Sequence, residues 1–206
     1  MPSAADSSSS DLPWLLDPTA IARDAIRVQG LPTLSADALQ RWIGKIHTFQ
    51  HQVRETPPPQ QPDLFGGIEI HPGDPNLVDP FALETCPFNF YEQRDLGPKQ
   101  PAIYFVRDRR ADVILYIGEA KNAHSRWSGA HDCKRYVTNY RTLHFECGSS
   151  CQIDIAFWLD AFPDAKRRQG QERDLIRRWR SPFNKENWQR WATPFIEGRT
   201  DPQSSS

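Results

Sequence analysis

Ala102-Ile103-Tyr104-Phe105-Val106, then Arg107-Asp108-Arg109-Arg110-Ala111-Asp112, then Val113-Ile114-Leu115-Tyr116-Ile117-Gly118 is the stretch that decides the fold. Two runs of β-branched and aromatic residues flank a short polar segment, which is the pattern of an antiparallel hairpin. Tyr104 and Tyr116 have equal parity. Any register whose paired positions sum to an even number sets both phenols on one face, for example with Tyr104 opposite Tyr116; an odd sum separates them.

Downstream, Asn122 is placed to cap a helix carrying Arg126 and Trp127. Gln152 to Trp158 alternates, with Ile153, Ile155 and Phe157 on one face, and reads as a third strand. Gly170 precedes a helix expected over about 171–180, which Ser181-Pro182 ends. Its apolar stripe is Leu175, Ile176 and Trp179, and Glu172 falls on that stripe by spacing. Arg173, Arg177, Arg178 and Arg180 take the other faces. A carboxylate on an apolar stripe is costly unless something pairs with it. The helix dipole or an arginine would serve, and so would a metal ion at a pocket wall.

Upstream the chain is looser. Residues 1–12 and 200–206 read as disordered, and 193–206 as a C-terminal tail. Residues 13–56 read as a helical extension: Asp17-Pro18 starts one helix to about Val28, and Ser35 caps a second to about Arg54. In the second, Leu39, Trp42, Ile43, Ile46, Phe49 and Val53 form one stripe. This pair could pack on the domain that follows or form a separate contact arm. Residues 57–100 open with Pro57-Pro58-Pro59-Gln60-Gln61-Pro62 and read as a stiff linker followed by irregular chain. Residues 101–192 form the main domain. The fold class is α/β of the α+β type, with a small central antiparallel sheet of about three strands flanked by helices.

The 206 residues carry a net charge of −1, unevenly spread. Residues 1–100 hold 7 Lys+Arg against 13 Asp+Glu, whereas residues 101–190 hold 17 against 11. A basic back half suits a polyanionic partner, although two differently charged surfaces would give the same count. No apolar run approaches the ~20 residues of a membrane helix. No basic-then-apolar leader opens the chain. Four cysteines do not make a secreted disulfide scaffold, so a cytoplasmic location is expected.

The motifs around the hairpin resemble the GIY-YIG endonuclease family. Ala102-Ile103-Tyr104, eleven residues, then Tyr116-Ile117-Gly118 matches its signature, with Ala102 where the family name has Gly. Arg126 follows ten residues after Tyr116, as the family's arginine does. Glu172 matches its helical glutamate, and Ser181-Pro182-Phe183-Asn184 its closing asparagine motif. Glu119 stands where some members carry Lys, so no role of that lysine transfers. The resemblance covers residues 101 to about 190, five elements in order. It implies DNA phosphodiester hydrolysis assisted by one Mg²⁺ or Mn²⁺. Glu172 would ligate the metal, Tyr104 would be general base or relay, and Tyr116 would position the water or a phosphate oxygen. Arg126 would neutralise developing charge, and Asn184 would orient groups by hydrogen bonding. The other reading is a catalytically weak nucleic-acid-binding module on the same surface.

Other residues carry weaker signals. His131 lies five residues after Arg126, about 140° around a helix, so it joins a catalytic set only if that helix has ended. His131, Cys133, Cys147 and Cys151 have loose zinc-like spacing, with reduced thiols as the alternative. Lys134, Arg135, Arg167, Arg168, Arg173 and Arg177 would line a nucleic-acid-binding face for duplex or branched DNA. Gln61-Pro62-Asp63-Leu64-Phe65 resembles a sliding-clamp docking peptide on its Pro-rich tether, or is a hydrophobic anchor for the linker.

Overall fold

The hairpin forms as two full strands, β2 (Ala102–Asp108) and β3 (Val113–Ala120). The computed structural model describes residues 34–56, 73–92, 97–128 and 131–194, and every one of them belongs to the unit Pro32–Ser206. The helix expected at 17–28, the linker at 57–72 with Gln61–Phe65, and the C-terminal tail beyond 194 lie outside the described residues. Tyr104 pairs with Gly118 and Val106 with Tyr116, an even-sum register shifted by two from direct opposition of the phenols. Between Val106 and Arg107 the register slips by one residue at a bulge. Asp108 closes the turn by accepting from the Arg110, Ala111 and Gln152 N–H groups through Oδ1, while Tyr140 donates to its Oδ2 at 2.9 Å.

Four strands, not three, make up the sheet. The third expected strand is β4 (Ile153–Trp158), which pairs with β2. A short β1 (Thr85–Pro87) lies within the stretch expected to be irregular and pairs with β4. The order is β1-β4-β2-β3, all antiparallel. Pro87 is tolerated because β1 is an edge strand. Both faces of β2 are buried. Ile103, Phe105, Ile117 and Trp158 share one core with Leu175, Ile176 and Trp179 of the helix Ala165–Trp179.

Among the described residues the α-helices are α1 (Ala36–Glu55), α2 (Ala123–Ser128), α3 (Asp132–Glu146), α4 (Ala165–Trp179) and α5 (Trp188–Trp191). Ser35 caps α1 and Asn122 caps α2, as their sequences predict. α4 begins earlier than expected: Asp164 caps it by accepting from Arg167 N–H, and Gly170 sits inside it, where a methyl group would meet open space. A strong cap outweighs the roughly 1 kcal/mol penalty of an interior glycine.

α1 is part of this unit. It packs against β3, α3 and α4, and Trp42 donates to Trp191 O at 2.8 Å. Its buried side includes Gln50 rather than Phe49. The Gln50 amide accepts from Ile114 N–H at 2.7 Å and donates to Ile114 O and Trp179 O. Further along the same strand, Phe183 N–H donates to Leu115 O, and the Asn184 amide bonds both the N–H and the C=O of Ile117. Side-chain amides thus complete the outer edge of β3 as a neighbouring strand would, which protects it from pairing with another chain. No helix among the described residues is long and apolar enough to cross a membrane.

Candidate active site

The even-sum register brings the phenols together. The Tyr104 and Tyr116 rings stack at 6.1 Å on the sheet face opposite the α4 core. Tyr104 lies over Gly118, so close that a Cβ there would collide with its ring and hydroxyl. The glycine ending the second motif is therefore a steric requirement of the first tyrosine.

His131 belongs to this cluster because α2 ends at Ser128 and His131 caps α3 instead. Its Nδ1 accepts from Cys133 N–H at 3.1 Å, which leaves the ring proton on Nε2. Nε2 then donates to the Tyr104 hydroxyl oxygen at 2.9 Å. Trp127 stacks parallel on the imidazole at 4.5 Å and fixes its plane. Burial, then Arg126, lowers the His131 pKa to about 4, so the ring is neutral at pH 7. Tyr104 itself is 1% exposed, its hydroxyl lying between Gly118 and His131, while Tyr116 beside it is half-buried.

Glu172 approaches from the edge of β3. It is half-buried at the margin of the α4 stripe, and its carboxylate accepts a hydrogen bond from the Glu119 backbone N–H. Burial first, then the charges of Glu119 and Glu186, raise its pKa to about 7 against the opposing pull of Arg126. The same carboxylate and the same guanidinium act on both phenols. Burial holds Tyr104 and Tyr116 well above the ordinary phenol range, Glu172 pushes them further up, and Arg126 pulls them down. Arg126 itself is exposed. Tyr104, Tyr116, Arg126, His131 and Glu172 therefore share one electrostatic neighbourhood with access to solvent.

A hard divalent cation suits this donor set. A half-buried carboxylate crowded by two others gains from positive charge, and Mg²⁺ commonly takes one or two carboxylates with water and phosphate completing its shell. Asn184 does not face that space. It is buried, receives the Ser181 hydroxyl at 2.6 Å and spends its amide on Ile117, so it positions the strand between Tyr116 and Gly118.

The basic face needs one correction. Arg168 is 2% exposed: it donates to Glu119 at 2.6 Å and to the Phe162 and Pro163 carbonyls. It is not available to a phosphate. Its place on the stripe of Leu175 and Trp179, seven and eleven residues on, was visible in the sequence beneath the basic run. Arg135, Arg167, Arg173 and Arg177 are exposed, with Arg135 paired to Asp132, Arg177 to Asp174, and Arg167 stacked on Phe162. Lys134 is half-buried in the first turn of α3 beside His131.

The zinc-like set does not converge. Cys133 is in the core, both ring nitrogens of His131 are engaged, Cys147 donates to Leu34 O, and Cys151 sits near Asp108 and His144. Sequence reasoning passed over Gln50, Trp127 as a stacking partner, and the Arg168–Glu119 pair. The step from Ile46 to position 50 was the available signal for the first. Compared with protein-family models, curated proteins and solved structures, the chain matches none.

Proposed function

We propose that this protein is a metal-dependent endonuclease that hydrolyses DNA phosphodiester bonds. The observation that carries the proposal is the convergence of two phenols, a neutral imidazole, an exposed guanidinium and a cation-seeking carboxylate from four separate elements. Mg²⁺ or Mn²⁺ at Glu172 would supply Lewis-acid polarisation of the scissile phosphate and its leaving 3′ oxygen.

The chain's own groups divide the remaining work. Tyr104 takes the attacking water's proton as its own phenol proton passes to a phosphate oxygen of the substrate, since His131 Nε2 already carries a proton and Nδ1 is occupied. Its resting state is the neutral phenol, and the His131 Nε2–H and the charge of Arg126 are the groups that favour negative charge on its oxygen. Tyr116, half-buried beside it, holds the water or a phosphate oxygen. Arg126 presents a planar fork to the charge that develops on phosphorus oxygens. Asn184 and Gly118 keep the two tyrosines in register. Arg135, Arg167, Arg173 and Arg177 offer contacts to a duplex or branched DNA backbone. The four cysteines are free thiols, in keeping with a reducing compartment such as the cytoplasm.

Purified protein incubated with supercoiled plasmid and Mg²⁺ or Mn²⁺ should nick it, EDTA should stop it, and Glu172→Ala should abolish it while the fold survives. Salt-sensitive binding with no nicking under either metal would sink the hydrolase and leave a nucleic-acid-binding module.

A further inference from the structure

The far end of the hairpin carries a second cluster of metal-ligating side chains. His47 and His51 are one helical turn apart on α1, and their rings lie 4.2 Å apart and 33° from parallel, so both imidazoles leave the helix in the same direction. Asp112, in the β2–β3 turn, reaches the pair: its Oδ2 is 3.1 Å from His51 Nε2. One donor atom from each of the three lies within 4.8 Å of the others. A left-handed backbone (φ 52°) at Asp112 sets the carboxylate in this position. We infer that His47, His51 and Asp112 form a binding site for a borderline divalent transition metal of the Zn²⁺ class.

The chemistry follows from the donors. Two imidazoles and one carboxylate suit Zn²⁺, Ni²⁺, Co²⁺ or Cu²⁺, whereas Mg²⁺ and Ca²⁺ want oxygen throughout. Two donors of a tetrahedral or octahedral ion bound at ~2.1 Å stand about 3.0–3.4 Å apart, which His51 and Asp112 already satisfy. No hydrogen bond to a described residue engages the His47 ring nitrogens. Side chains 35% and 42% exposed at His51 and Asp112 leave an entry path and open coordination positions for water. The site is separate from Glu172. Asp112 precedes the first residue of β3, while Glu119, whose N–H holds Glu172, is near its last, about 20 Å along the strand. A metal here would join α1 to the hairpin turn, adding a clasp to the Gln50 bonds at Ile114.

The test uses the full chain with Zn²⁺ or Co²⁺ alone, in buffer free of chelators. Calorimetry should give one site that survives excess Mg²⁺, Zn²⁺ should raise Tm, and bound Co²⁺ should show d–d absorption without a thiolate charge-transfer band. His51→Ala and Asp112→Asn, both at partly exposed positions, should each weaken binding more than about tenfold and remove the Tm rise. His47→Gln should do the same, and circular dichroism should show all three folded. Cys151→Ser should leave the site intact. Equal Zn²⁺ affinity in wild type and His51→Ala would overturn the assignment. So would a thiolate band lost in Cys151→Ser, which would move the ion to the buried Asp108, His144 and Cys151 group, and so would no binding at all, which would leave His51–Asp112 as an ion pair only.

Discussion

Replacing Glu172 with Gln should make the protein more stable and inactive at once, and the gain should depend on pH in a defined direction. The folded state lifts this carboxyl from 4.5 to about 7, chiefly by burial and then by the charges of Glu119 and Glu186. That difference amounts to about 3 kcal/mol against the ionised form, a ceiling that local relaxation and solvent screening at this half-buried group halve to ~1.5 kcal/mol. The sign follows from proton counting. Between pH 4.5 and 7 the unfolded chain has released a proton that the folded protein keeps, so wild-type stability falls as pH rises through this window and levels off above it. Gln carries no charge, and its carbonyl oxygen retains the hydrogen bond from Glu119 N–H. Thermal melts in EDTA should therefore show Glu172→Gln about 3–6 °C above wild type at pH 8.5 and level with it near pH 4.5. Mg²⁺ added at pH 8.5 should raise the wild-type Tm and narrow the gap, leaving the variant unmoved. An identical Tm difference at both pH values, or a wild type that is the more stable at pH 8.5 in EDTA, would refute the reasoning about this carboxylate.

Three further substitutions probe separate parts of the argument. Arg126→Ala should leave the Tm within about 1 °C of wild type, since the side chain is exposed, and lower plasmid nicking by about 10²–10³-fold in a single-turnover assay. Gly118→Ala should cost about 1–3 kcal/mol in urea unfolding, because the new methyl displaces the Tyr104 ring, and should lower nicking further than its stability loss explains. Gln50→Ala should cost about 2–4 kcal/mol, because it leaves the buried Ile114 N–H without an acceptor, and hydrogen exchange should show α1 and the 113–115 segment opening together.

Which of these features a sequence discloses comes down to the range of the interaction each residue serves. The hairpin, the strand at 153–158 and the helix caps at Ser35 and Asn122 follow from local alternation and local hydrogen bonding, which neighbours in sequence determine. The phenols could be narrowed to two arrangements by parity alone, and only the register, with Tyr104 over Gly118, decided between them. β1 escaped notice because three residues containing a proline carry no alternation, and β4 supplies its partner from about seventy residues away. Arg168 was misread for a related reason. A run of Lys166, Arg167 and Arg168 looks like one solvated patch when read along the chain, yet a helix rotates 100° per residue and sends the third member inward. Its counter-charge, Glu119, lies on a different strand at the position where the family resemblance gave no guidance.

The same residue shows how the site's charge balance is built. Arg168 pairs with Glu119 at 2.6 Å at the sheet edge beside Glu172. Glu172 thus lies beside a second carboxylate while Arg126 pulls its pKa down, and Arg126 is exposed and committed to no described acid. Burial and the Glu119 and Glu186 carboxylates raise the cost of ionising Glu172, and Arg126 and the Glu119 N–H offset only part of it. A cation at the proposed site would turn the carboxylate repulsions into attraction and offset the cost of burial. The protonation behaviour of one carboxylate therefore ties the folding of α4 against β3 to the chemistry proposed for the cluster beside it.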